Sequence, residues 1–115
     1  MSTDPRVVYQ VRDFERALDF YKRQLGFEET FVDFDEGWAT MRRGVMQIAI
    51  TKGEPDPSGG VAMIDVEDIK AEADRLRGDG VNVGTVIELA GQMRIVDVFD
   101  PDDNRIQLAQ PLDDE

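Results

Sequence analysis

The sequence predicts an α+β domain built from two copies of one plan, each a strand, a helix and three further strands. Three observations carry this. Val11-Arg12-Asp13-Phe14 is echoed by Val66-Glu67-Asp68-Ile69, and Gly26-Phe27 by Gly80-Val81. Met46, Ile48 and Ile50 share their apolar phase with Ile106 and Leu108. Neither copy alone covers both faces of a sheet, so the two are expected to pair into one domain over 1–115. Its modules are 6–51 and 61–110, joined by a linker over 52–60.

The elements follow in order. Alternation of Val7, Tyr9 and Val11 predicts a strand over Arg6–Arg12. Asp13 can cap a helix whose stripe is Phe14, Ala17, Leu18, Tyr21 and Leu25. Lys22 and Arg23 complement its dipole, and Gly26 ends it. Strands are expected over Phe27–Phe34, Trp38–Arg42 and Val45–Thr51, with an acidic turn at Asp35–Gly37 and a tight one at Arg43-Gly44. Lys52–Gly60, with two prolines and three glycines, has no periodicity and reads as the linker. Val61–Val66 is the next strand. Asp68 caps a helix with Ile69, Ala73 and Leu76 on one face, closed by Gly78 and Gly80. Val81–Ile87 reads as a strand, Glu88–Gln92 as a loop, and Met93–Phe99 and Arg105–Gln110 as strands around a turn at Asp100–Asn104. That turn has Asp103 where a left-handed residue is wanted, which Asp tolerates.

Composition excludes much. The 115 residues include no histidine and no cysteine, which removes imidazole bases, thiolate nucleophiles and soft metal ligands together. With 41% hydrophobic residues, the chain can build a core without disulfides or a structural metal. No apolar run reaches the length of a membrane span or a signal-peptide core, so a cytoplasmic location is expected. The formal net charge of −12 repels nucleic acid and anionic membranes, so neither is an expected partner. It reads first as solubility, though such a field also favours a cationic ligand.

Asp13-Phe14-Glu15-Arg16-Ala17-Leu18-Asp19-Phe20-Tyr21 followed by Leu25-Gly26-Phe27 resembles the opening of the vicinal oxygen chelate superfamily. That group includes glyoxalase I, fosfomycin-resistance enzymes, extradiol dioxygenases and bleomycin-resistance proteins. Val66-Glu67-Asp68-Ile69, the spacing to Gly80-Val81, and Asp100-Pro101-Asp102-Asp103-Asn104 resemble its second module. The resemblance implies paired βαβββ modules whose sheets curl around a cleft, and a homodimer. It does not fix the reaction, since this fold hosts several chemistries.

Metal-dependent members place ligands at the start of each module's first strand and on each module's last strand. The resemblance carries these positions onto Arg6, Val61, Ala49 and Gln107; a shift at Val61 reaches only Gly59 or Gly60. None is His, Asp or Glu, so no metal and no other cofactor is expected. A displaced carboxylate pair, Asp97 with Asp65, is the remaining route to one. With the ligand positions taken as facing the cleft, alternation puts Arg6, Val8 and Gln10 there, with Trp38, Thr40, Arg42, Gln47 and Ala49. The second module adds Val61, Met63, Asp65, Met93, Ile95, Asp97, Arg105 and Gln107. Tyr9, Met41, Met46, Ile48, Ile50, Ile64, Ile106 and Leu108 fall on the helix-facing side.

Trp38 either stacks a planar ligand or fills the sheet interior. Arg6, Arg42 and Arg105 either clamp an anion or are neutralised by Asp65 and Asp97, and pairing is the expected outcome. The first functional expectation is a metal-independent small-molecule binding protein similar to the bleomycin-resistance proteins. It would sequester a cationic or aromatic compound such as an antibiotic. The alternative is a glyoxalase-like lyase or isomerase, or another metal-free enzyme, with Asp97 as the candidate base and an arginine holding an oxyanion. A third is a domain whose cleft is filled by its own side chains and serves protein association.

Overall fold

Each helix begins where the sequence offers a carboxylate to free N–H groups. Asp13 accepts from the Arg16 N–H and Asp68 from the Ala71 N–H, both at 3.1 Å. The computed structural model describes residues 7–56 and 60–112; Arg6, Gly59 and the tail at 113–115 lie outside the described residues. Helix α1 covers Phe14–Asp19 and α2 covers Ile69–Gly78. Gly26 and Gly80 follow them with φ of 71° and 84°, where a side chain would be strained.

The first sheet orders its strands β1-β4-β3-β2. These are β1 (Val7–Val11), β2 (Glu28–Asp33), β3 (Trp38–Arg43) and β4 (Met46–Lys52). The second module repeats the order with β5 (Ala62–Asp65), β9 (Arg105–Pro111) and β8 (Met93–Phe99), then β6 (Asn82–Val83) and β7 (Ile87–Leu89), both paired with β8. In both sheets the first strand runs parallel to the last and the other pairs are antiparallel. This is the expected α+β fold of two βαβββ modules. Among the described residues no helix is long and apolar enough to cross a membrane.

Two expectations need correction. The helix does not stay α to Leu25: from Phe20 to Gln24 it widens to π geometry. The apolar stripe could not reveal this, because Phe14, Ala17, Leu18, Tyr21 and Leu25 are all buried. The strand expected over Val81–Ile87 is instead the two short strands β6 and β7, and Glu88 and Leu89 pair with Arg94 and Met93 rather than looping. Val83 stands opposite Val98 while Ile87 stands opposite Ile95, so one residue of the intervening 84–86 segment is extra.

The expected turn over Asp100–Asn104 is present, with Asp103 in the left-handed region at φ 66°. The helix-facing side chains of both sheets join one apolar cluster that includes Tyr9, Met41, Ile48, Ile50, Ile64, Ile106 and Leu108. Burying that set against the helices leaves the opposite face of each sheet without a covering layer.

Candidate functional site

Register defines the two open faces. On the first sheet, Gln10, Thr51, Trp38 and Asp33 form one row across the strands. Val8, Ala49, Thr40 and Phe31 form the next, and Gln47, Arg42 and Glu28 a third. On the second sheet, Asp65, Ala109, Ile95 and Ile87 form a row beside Met63, Gln107 and Asp97, with Arg105 opposite Phe99. The structure thus brings Val8, Trp38, Thr40, Arg42 and Gln47 onto one face. It brings Met63, Asp65, Ile95, Asp97, Arg105 and Gln107 onto another. Among the described residues no hydrogen bond or ion pair joins the two sets; Arg6 lies outside them.

Both faces expose apolar surface. Val8 (38%), Phe31 (54%), Met63 (48%), Ile87 (51%) and Leu89 (43%) lie open, five large apolar side chains where a buried layer would be expected. Ala49 and Ala109 sit fully buried between larger neighbours and form the floor of each face. On the second face a cavity of about 350 Å³ is lined by Ile87, Ile95, Asp97, Phe99, Arg105 and Gln107, with Gly84, Thr85 and Val96. That is within the usual range for small-molecule pockets.

Phe31, Asp33, Ile87 and Leu89 did not emerge from alternation. Between β2 and β3 the register slips by one residue, so Glu29 faces Met41 but Phe31 faces Thr40. The extra residue is Thr30, whose hydroxyl lies 2.7 Å from the Thr40 hydroxyl and donates to the Thr40 carbonyl at 3.0 Å. Without it, Phe31 and Asp33 would point at the helices. The slip between β6 and β7 does the same for Ile87 and Leu89. No local residue choice marks either bulge.

The charged groups of the faces largely pair within their own sheet. Arg42 Nη2 lies 3.6 Å from Glu28 Oε1 and Arg105 Nη1 lies 3.4 Å from Asp97 Oδ2. Gln107 Nε2 donates to the other Asp97 oxygen at 3.2 Å. Asp97 therefore neutralises Arg105 as expected, but Arg42 takes Glu28, and Asp65 has no partner among the described residues.

The metal positions fit poorly. Ala49 and Val61 carry no donor atom on their side chains, and Gln107, whose Nε2 donates to Asp97, offers a single neutral oxygen. Among the described residues no three His, Cys, Asp or Glu side chains converge in a way that could hold a metal ion. The donor set does not fit the metal of the metal-dependent relatives.

Behind the faces, several side chains join the modules, Tyr9 foremost among them. The Tyr9 hydroxyl donates to the Arg105 carbonyl at 2.6 Å and accepts from the Ala62 N–H at 2.9 Å. Its ring stacks on Tyr21, with centroids 5.7 Å apart. The Tyr21 hydroxyl donates at 2.7 Å to the buried Asp100. Asp100 also accepts from the Asp102 and Asn104 backbone N–H groups and the Asn104 amide, whose nitrogen reaches the Gln10 carbonyl as well. Burial pushes the Tyr9 phenol from 10.0 up to about 12. Burial, and then the Asp100 carboxylate, push that of Tyr21 well above its ordinary value.

With this geometry in view, the sequence profile of the Glyoxalase/Bleomycin resistance protein/Dioxygenase superfamily matches residues 5–108. The chain belongs to that superfamily. No curated protein sequence matches it. Among solved superfamily folds, TnmS3, an antibiotic binding protein from Streptomyces sp. CB03234, is similar at 24% identity and a TM-score of 0.70, covering 96% of this chain and 98% of that one. The bleomycin resistance determinant encoded on the transposon Tn5 is similar at 19% identity and 0.73, with 96% and 98% covered. FosX from Listeria monocytogenes, complexed with Mn(II) and sulfate, is similar at 15% identity and 0.78, with 96% and 91% covered. At these identities the likeness is one of fold. Metal-holding and antibiotic-binding relatives share it, so the choice between their chemistries falls to the residues on the two faces.

Proposed function

We propose that this protein is a metal-independent small-molecule binding protein that sequesters a ligand such as an antibiotic, acting in the cytoplasm as a homodimer. The observation that carries this is the row of large apolar side chains left open on both sheet faces around Trp38 and the 350 Å³ cavity. Exposed apolar surface of this kind is stabilised when a ligand or a second subunit covers it. Antibiotic binding by TnmS3 and the bleomycin resistance conferred by the Tn5 determinant, together with the poor donor set at the metal positions, support it further.

A catalytic reading has less support. Its candidate base, Asp97, is already held by Arg105 and Gln107, and among the described residues no second proton-transfer group is bonded to it. The test is titration of Trp38 fluorescence with bleomycin in low and moderate salt; Trp38 is the sole tryptophan, so the signal is local. Saturable quenching near one ligand per chain that survives salt supports sequestration. A flat response, or quenching that salt abolishes, reduces the negative charge to solubility and rejects bleomycin-like ligands.

A further inference from the structure

A cavity of about 380 Å³ opens beside the helices, where the two modules meet. Its walls are α1 with the π turn that follows, the residues just after α2, and the turn after β8. The volume suits a ligand of metabolite size. Most of the charges along these walls are already satisfied. Asp19 lies 2.8 Å from Arg23 Nε and Asp79 lies 3.6 Å from Arg75 Nη1. The buried Asp100 takes the Tyr21 hydroxyl and the Asn104 amide. Two lining groups are left over. The Arg16 guanidinium and the Asp103 carboxylate form no hydrogen bond or ion pair, although the backbone N–H of each is bonded. Opposite in sign and lining one cavity, they stay too far apart to pair, while pairs as long as 3.6 Å form elsewhere on the surface. The same walls carry apolar surface from Phe20, Val81 and Phe99. Phe20 and Gln24 belong to the π turn, a geometry that recurs at functional sites.

We propose that this cavity is a ligand site of its own, which takes a free α-amino acid with an apolar or aromatic side chain. The Arg16 guanidinium holds the carboxylate and Asp103 the ammonium, each by charge-assisted hydrogen bonds. Phe20, Val81 and Phe99 receive the side chain. A zwitterion satisfies both unpaired charges at once. It carries no net charge, so the field of a chain at −12 does not repel it as it would a simple anion. A simple cation would leave Arg16 facing it as a like charge. The site shares neither Arg16 nor Asp103 with the open faces, so it stands whether or not those faces bind an antibiotic.

Isothermal titration calorimetry with L-phenylalanine tests this, beside 2-phenylethylamine, which lacks the carboxylate, and 3-phenylpropanoate, which lacks the ammonium. The variants are Arg16→Gln, at an exposed helix position where Gln is as good a helix former, and Asp103→Asn, which keeps the left-handed backbone. L-Phenylalanine is expected to bind the wild type. Each variant is expected to bind it at least about fivefold more weakly, the worth of one exposed charge at contact distance, and each analogue to bind the wild type weaker by a similar factor. Unchanged L-phenylalanine affinity in either variant overturns the site. An analogue that binds the wild type as tightly as L-phenylalanine overturns the zwitterion as its ligand. Absence of binding by both L-phenylalanine and L-leucine at ~10 mM overturns the proposal outright, and leaves the bleomycin titration of Trp38 to decide the open faces separately.

Discussion

Replacing Tyr9 with phenylalanine keeps the ring stacked on Tyr21 but deletes the oxygen that ties β1 to β5 and β9. The Ala62 N–H, on a fully buried residue, loses its acceptor and the Arg105 carbonyl loses a donor. Leaving a buried donor unsatisfied costs about 1–3 kcal/mol, and loss of the second bond brings the total to about 3 kcal/mol. For a chain of this length the unfolding entropy is about 0.24 kcal/mol/K, so Tm should fall by about 12 °C. A phenol whose pKa is raised on folding stabilises the fold fully below its unfolded value and loses that contribution as pH climbs through the folded one. For Tyr9 the window runs from 10.0 to about 12. Thermal melts by circular dichroism at pH 7 and across this window should therefore show two things. Y9F is less stable at neutral pH, and the gap between it and the wild type narrows in alkali. A Y9F melting point within about 3 °C of the wild type, or an unchanged gap from pH 9 to 12, would refute the bridging role.

Two further outcomes are expected. Asp103→Val should cost about 1–2 kcal/mol, seen as a lower urea midpoint, because a β-branched side chain resists the left-handed backbone; Asp103→Gly should cost nothing comparable. Asp68→Ala should cost about 1 kcal/mol by removing the cap on α2, and with Asp13→Ala the two losses should add in thermal melts, since the caps share no partner.

The legible features were those written in short-range chemistry. A carboxylate three residues before an amide identifies both caps, and glycine after each last turn identifies both ends. Strand alternation along β3, β4, β8 and β9 sorted inward from outward side chains, so Trp38, Arg42, Asp97 and Gln107 fell on their faces without coordinates. The bulges were not legible. Thr30 and the 84–86 segment owe their conformations to strands across the sheet, and nothing local distinguishes an extra residue from an ordinary one. Their parity shift hid Phe31, Ile87 and Leu89. Pairing partners were equally out of reach: sequence offered Asp65 for an arginine, whereas register placed Glu28 opposite Arg42. The Tyr9 bridge was missed too, because its stripe position explains the ring and says nothing about where the hydroxyl ends.

The single-residue slip in β2 recurs in the β6–β7 strand, in both cases on the strand farthest from its module's first strand. A change of length there disturbs only one ladder, while the other three strands keep their pairing. Adding or removing one residue exchanges the inward and outward side chains of the outermost strand on one side of the slip. The edge of each sheet thus works as a reversible cuff: its lining can be turned out by an insertion or deletion, with no substitution in the core.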